Sequence, residues 1–170
     1  MRRLILELMT FPPHHSRHQK LLEDFNTVAS FERSVFVMTK FPDLAHPGPR
    51  DDELTAVIEG VRQSIEGCGF TARLANDKHY HPALWDNVEL YLLGCSRGVA
   101  IVEDRYMPEL NPNVAMEWGW MRGMGRSVLY LIEKDFKLER ADWGGLLRGP
   151  FDWDDPLPGI ASAVRGWLPS

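Results

Sequence analysis

The chain has 170 residues, a length typical of one domain that can bury a substantial hydrophobic core. Its formal net charge is −5, and it carries no basic stripe of the kind that binds nucleic acid. The two cysteines lack metal-ligand spacing, and the apolar start lacks a cleavage signal. The chain also has no run of the roughly 20 apolar residues that a membrane span needs. These features predict a cytoplasmic protein with no membrane association.

The first 33 residues are predicted to form an N-terminal extension that packs on the following domain of residues 34–170. Apolar residues place one or two helices in it, around Leu4, Leu8, Leu21, Leu22 and Phe25. His14 and His18 are four residues apart and would share a helix face, but no neighbouring cysteine or carboxylate completes a metal-ligand set. We therefore expect a solvated polar loop and no metal there.

From residue 34 to the end of the chain, β-rich and helical segments alternate. Strands are predicted at 34–39, 70–74, 98–102, 127–132 and 149–153, the last of them a short edge strand. Helices are predicted from residue 51, from Pro82, from the Asn-Pro-Asn turn at 111–113, and over 157–168. This alternation predicts an α/β fold, a flavodoxin-like three-layer sandwich with a mainly parallel five-stranded sheet.

The third of these helices begins at a polar turn directly after the strand at 98–102, where open α/β sheets hold ligands. We place Glu117 in its first turn, where the helix dipole favours an ionised carboxylate. Neither Asn111 nor Asn113 as the cap puts Glu117 at the third position that a capping box needs. The helix is rich in apolar residues, which predicts that it is largely buried, and Gly119 and Gly123 allow close approach to its backbone. A buried carboxylate needs a partner or a function.

The segment 84–131 resembles the superfamily that joins nucleoside 2-deoxyribosyltransferases and Toll/interleukin-1 receptor (TIR) domains. Members of its TIR-like branch carry a strand ending in an acidic residue, an Asn-Pro-Asn-Val turn, Glu-x-Gly, a helix, a turn of glycine and a basic residue, and an apolar strand. The matching segments here are 99–104, 111–114, 117–119, 125–126 and 128–131. With a looser match at the first strand, the resemblance covers about residues 34 to 132.

This resemblance implies cleavage of an N-glycosidic bond with Glu117 as the catalytic carboxylate. Breaking a ribosyl C–N bond builds positive charge on the sugar, which a fixed carboxylate stabilises or traps covalently. The Asn-Pro-Asn form and the proline-rich loop after the first strand favour the TIR-like branch. That branch implies a hydrolase that cleaves NAD, in bacterial antiviral defence or NAD-derived signalling, with NAD as substrate and no cofactor.

Two alternatives to NAD cleavage remain open. One is a nucleoside 2-deoxyribosyltransferase or nucleoside hydrolase, and the other is a non-catalytic nucleotide-binding or assembly domain. Activity of the TIR type often depends on self-association, so the resemblance also implies an oligomer or a partner protein.

Nine further residues are candidates for contacting NAD or a related nucleotide: Phe36, Met38, Lys40, Asp77, Trp85, Asp104, Asn111, Asn113 and Trp118. Some of these candidates also have an interpretation that involves no ligand. Phe36 fits a substrate contact or plain core, and Lys40 fits a diphosphate partner or an exposed lysine. Asp77 fits a ribose hydroxyl or a turn. Trp85 fits a base-stacking ring or helix packing, and Asp104 fits substrate orientation or a loop cap.

Overall fold

A computed structural model of the protein describes residues 17–43, 45–106, 111–136 and 148–169. The helices in these ranges are α1 Gln19–Asn26, α2 Pro49–Glu66, α3 Leu84–Gly94, α4 Pro112–Gly123 and α5 Pro156–Trp167. The strands are β1 Ser34–Met38, β2 Thr71–Arg73, β3 Arg97–Val102, β4 Ser127–Glu133 and β5 Arg148–Phe151. None of the described helices combines the length and the apolarity that crossing a membrane requires.

The described strands form one sheet in the order β2-β1-β3-β4-β5, and each of its pairings is parallel. This is the flavodoxin-like order, so the predicted five-stranded α/β sandwich is confirmed. Element bounds differ from the predicted ones by a few residues. For example, α2 begins at Pro49 rather than at residue 51, because a proline tolerates the first helical position, where its missing N–H has no acceptor.

The core consists of two layers, one on each face of the sheet. Alternate side chains of β1 enter different layers: Val35 and Val37 enter one, and Phe36 and Met38 enter the other. The first layer is completed by α2 and α5, and the second by α1, α3 and α4. Because both faces are covered, every residue of β1 is buried, as a parallel sheet requires.

Helix α1 is joined to the second layer through Phe25, which is fully buried. The Phe25 ring centroid lies 5.0 Å from that of Tyr91 in an edge-to-face contact, and the Arg73 guanidinium carbon lies 3.6 Å from it. On α3, Gly94 leaves room for the ring, since a Cβ there would lie 2.6 Å from Phe25. The predicted helical residues around Leu4 and Leu8 lie outside the described residues.

A glycine in the central strand β3 brings α4 close to the sheet. A Cβ added at Gly98 would lie 2.6 Å from the sulfur of Met121 and 2.7 Å from the terminal methyl of Met38. Both methionines are almost completely buried, so the space above Gly98 is filled by their side chains. This contact positions α4, the helix that carries Glu117, over the middle of the sheet.

Candidate functional site

Helix α4 follows the carboxyl end of β3 and begins with a side-chain cap. The side-chain oxygen of Asn111 accepts a hydrogen bond from the Asn113 backbone N–H at 2.9 Å, and Pro112 takes the first helical position. Glu117 is therefore the sixth residue of the helix. The expected first-turn position of Glu117 is wrong, because the helix starts at Pro112 and its first turn contains no acidic residue.

Glu117 lies on the inward side of α4. It is three residues after Val114 and four before Met121, both buried, and this spacing puts the three side chains on one helix face. No described residue forms a hydrogen bond or ion pair with its carboxyl group. Burial alone raises the pKa of Glu117 to about 7, because the charged form loses contact with water. The expectation that its surroundings favour the ionised form is therefore wrong.

The rest of α4 is more exposed than the sequence predicted. Val114 and Met121 are its buried residues, whereas the Met116 side chain is 47% exposed. Apart from the chain neighbours and the backbone of α4 itself, no described atom lies within 4 Å of a Cβ built at Gly119 or Gly123, so no described element packs closely on these glycines. The prediction of a largely buried helix is wrong because α4 covers the sheet with one face only.

A small aromatic cluster lies where α4 meets the carboxyl ends of β3 and β4. Trp118 packs edge-to-face on Tyr130, with ring centroids 4.8 Å apart, and Val102, Ile132 and Phe136 complete the cluster. Trp118 also packs against the second core layer, so it links this cluster to that layer. Sequence reasoning selected Trp118 and missed Tyr130, although the alternation along β4 puts Tyr130 and Ile132 on one face.

Trp85 lies at the exposed start of α3, where its side chain is 38% exposed. Its ring is 5.8 Å from the ring of Trp120 on α4, at a tilt of 43°. Leu84 and Met116 are also exposed hydrophobic residues on the same two helices. Trp85 thus packs on a neighbouring helix and still presents aromatic surface to solvent, so both roles considered from the sequence remain available to it.

Lys40 joins the ends of two central strands. Its Nζ lies 2.6 Å from Glu103 Oε1 and donates to the Glu103 backbone carbonyl at 2.9 Å, and both side chains are buried. The other carboxylate oxygen of Glu103 accepts from the Tyr106 backbone N–H at 2.7 Å. Lys40 is therefore not an exposed lysine, and Glu103 compensates its charge. Next to it, the buried Thr39 hydroxyl has no hydrogen-bond partner among the described residues.

Three of the candidate residues have structural roles, namely Phe36, Met38 and Asp77. Phe36 and Met38 are each 1% exposed and belong to the second core layer, which agrees with the core interpretation of Phe36 and leaves almost no surface for a ligand. One carboxylate oxygen of Asp77 accepts from the Leu74 backbone N–H at 2.9 Å, and the other accepts from Arg62 at 2.8 Å. Asp77 therefore stabilises the turn after β2.

The side chain of Asn113 is exposed, and that of Asn111 is the cap of α4.

The carboxyl edge of the sheet is rich in acidic residues. Asp104 follows β3 and is half-buried, and Glu133 is buried at the end of β4. Burial is the main cause of a raised pKa at Glu133, and the charges of Asp135 and Asp104 raise it further. Three cations near this edge are each paired with acidic side chains: Lys40 with Glu103, Arg105 with Glu53 and Asp154, and Lys134 with Asp152.

A second group of ligand-type side chains lies on α3 and just before α1. His18, Asp86 and Glu89 converge there, with one possible ligand atom from each within 4.8 Å of the others. Sequence reasoning missed this group because Glu89 is 71 residues from His18 along the chain. His14, the other histidine of the predicted pair, lies outside the described residues.

The similarity of this chain to known proteins comes from solved structures. No protein-family model and no curated protein sequence matches the chain. Among solved structures, the chain is similar to a 2-desoxiribosyltransferase from Leishmania mexicana. The two chains share 18% sequence identity with a TM-score of 0.48, and the match covers 80% of this chain and 99% of the other.

Proposed function

We propose that the protein cleaves the N-glycosidic bond of a nucleoside, with Glu117 as the carboxylate that acts on the anomeric carbon of the sugar. The observation that carries this proposal is the Glu117 carboxyl group on the inward face of α4, without a partner among the described residues. A half-buried carboxyl group without a partner among the described residues is disfavoured in its charged form, which favours a functional role. Its place after the carboxyl end of β3 agrees with where open α/β sheets bind ligands.

The chemistry requires Glu117 in its ionised form. As the bond to the base breaks, positive charge develops at the anomeric carbon, and a carboxylate beside it stabilises that charge or forms a covalent glycosyl ester. The base leaves with the bonding electron pair and takes up a proton. Water then attacks the sugar in a hydrolase, whereas a second base attacks it in a transferase.

The charges at the carboxyl edge favour an uncharged nucleoside over NAD. Lys40, the residue expected to meet a diphosphate, is buried against Glu103. The charge of Asp104, which also raises the pKa of Glu133, adds negative potential at this edge and would repel the diphosphate of NAD. The half-buried Trp118 and the exposed surface of Trp85 offer aromatic faces of the kind on which a nucleobase stacks.

The test is to incubate the purified chain with each natural nucleoside and deoxynucleoside, with and without a second free base, and to separate the products by chromatography. We expect release of free base from at least one nucleoside and loss of this release in Glu117→Gln. A matched control is Glu23→Gln, which removes an exposed carboxyl group on α1 and should leave the rate unchanged.

Three results would contradict the proposal. Unchanged base release by Glu117→Gln would remove Glu117 from the chemistry. Turnover of NAD to nicotinamide, with no nucleoside accepted, would replace the proposed substrate class with the one that the TIR-like resemblance implies. Binding of nucleosides that stabilises the fold without any product would make the protein a binding domain.

A further inference from the structure

We propose that His18, Asp86 and Glu89 bind a divalent metal ion that prefers imidazole and carboxylate ligands, such as zinc, by displacing the guanidinium group of Arg17. This site is separate from Glu117 and does not depend on the proposed function. It joins the residue before α1 to the outer helix α3.

The three side chains form a donor set that is mostly shielded from water. The His18 and Glu89 side chains are 2% and 6% exposed, and Asp86 is half-buried. Zinc binds histidine nitrogen and carboxylate oxygen at about 2.0–2.2 Å, which separates tetrahedral ligand atoms by roughly 3.3 Å. Here the ligand atoms already lie within 4.8 Å of one another, so small side-chain rotations bring them to a common ion.

Arg17 shows that the centre of this group attracts a cation. One of its terminal nitrogens lies 2.7 Å from Asp86 Oδ1 and 2.8 Å from Glu89 Oε2. The Arg17 side chain is 54% exposed, so it can move into solvent while the buried ligands stay in place.

The contacts of His18 Nε2 are poorly matched to Arg17. Arg17 Nε donates to this nitrogen at 3.1 Å, which requires an unprotonated ring nitrogen with a free lone pair. The same nitrogen lies 2.7 Å from Glu89 Oε2, which requires a proton between the two atoms. One Nε2 atom cannot satisfy both contacts. A metal ion in place of Arg17 would accept the lone pair of Nε2 and bind the carboxylate oxygens at the same time.

The experiment uses the full chain after treatment with a chelator, with Zn²⁺ followed by thermal unfolding and Co²⁺ followed by its visible absorption. We expect Zn²⁺ to raise the unfolding temperature and bound Co²⁺ to show the intense bands of low coordination number. The Arg17→Gln variant should bind Zn²⁺ about tenfold more tightly than the wild type, because the metal no longer has to break a partly buried ion pair. Arg62→Gln makes the same charge change at the remote Arg62–Asp77 pair and should bind like the wild type.

Further variants keep the test decisive. His18→Gln and Glu89→Gln should each abolish the Co²⁺ bands, and circular dichroism shows whether either variant remains folded. If both unfold, Arg17→Gln decides, and equal affinity of Arg17→Gln and Arg62→Gln overturns the proposal. Binding that survives in folded His18→Gln, or that is lost when His14 and His15 are both replaced by Gln, places the ligands elsewhere and also overturns it. Sulfur-to-cobalt charge-transfer bands would likewise overturn it by indicating cysteine ligands.

Discussion

Glu117 couples the stability of the fold to pH. Burial raises its pKa from the ordinary value of 4.5 to about 7. Between these two values the folded chain holds a proton that the unfolded chain releases, so stability falls as the pH rises through this window. Above pH 7 the ionised, half-buried carboxylate destabilises the fold by about 2–3 kcal/mol.

We therefore predict that Glu117→Gln raises the free energy of unfolding at pH 8 by about 2–3 kcal/mol and changes it little at pH 4.5. Urea unfolding at the two pH values measures this difference. The exposed carboxyl group of Glu23 is the control, and Glu23→Gln should show no such dependence. An equal effect of Glu117→Gln at both pH values would mean that burial does not raise the pKa of this group.

The same titration should govern catalysis. If the ionised carboxylate acts on the sugar, kcat/KM for the nucleoside rises with pH and levels off above about 7, because this ratio reports the free enzyme. A pH–rate profile between pH 5 and 9 tests this expectation with whichever nucleoside the chain cleaves. A rate that falls through the same range would assign Glu117 the role of a proton donor to the leaving base.

At the scale of elements, the contact between α4 and β3 determines where Glu117 lies. Gly98→Ala would place a methyl group 2.6 Å from the Met121 sulfur, in a layer that is already filled. We predict a loss of about 1–3 kcal/mol in stability from this overpacking, together with reduced turnover because α4 shifts. Denaturant unfolding and the nucleoside assay measure the two effects.

Gly123→Ala is the matched control, since it adds the same methyl group to an open position at the end of α4. Alanine favours a helix over glycine, so this variant should keep its activity and gain up to about 0.5–1 kcal/mol. Equal losses of activity in both variants would show that the close packing at Gly98 is not what positions the helix.

Local patterns were sufficient to predict most elements of this fold. The apolar runs at 98–102 and 127–132 predicted β3 and β4, because strands buried on both faces need apolar side chains at nearly every position. The turn at 111–113 predicted the start of α4, since asparagine is a strong cap and proline suits the next position. The apolar content of α4 led to an overestimate of its burial, because composition does not tell which side of a helix meets the sheet.

Long-range pairings could not be predicted from the sequence. Lys40 and Glu103 are 63 residues apart, and their pairing follows from β1 and β3 being neighbours in the sheet. His18 and Glu89 meet only because α1 packs on α3. The pKa of Glu117 depends on the packing of α4 on the sheet, since the same carboxyl group in an exposed first turn would ionise readily.

At the scale of the whole molecule, the packing of Phe25 indicates that residues 17–33 unfold together with the sheet. Its ring is fully buried between Tyr91, Arg73 and Gly94. We predict that Phe25→Ala lowers the free energy of unfolding by about 3–5 kcal/mol and leaves a single cooperative transition. Circular dichroism and tryptophan fluorescence should report the same midpoint.

Val28→Ala, at a side chain 59% exposed, is the control and should change stability by less than about 0.5 kcal/mol. The alternative is a separable N-terminal segment. In that case Phe25→Ala would remove a little helical signal at low denaturant and leave the main transition unchanged. Tyr91 contacts Phe25 of α1 and also Phe36 of β1. We therefore expect removal of the Phe25 ring to destabilise the sheet as well as α1.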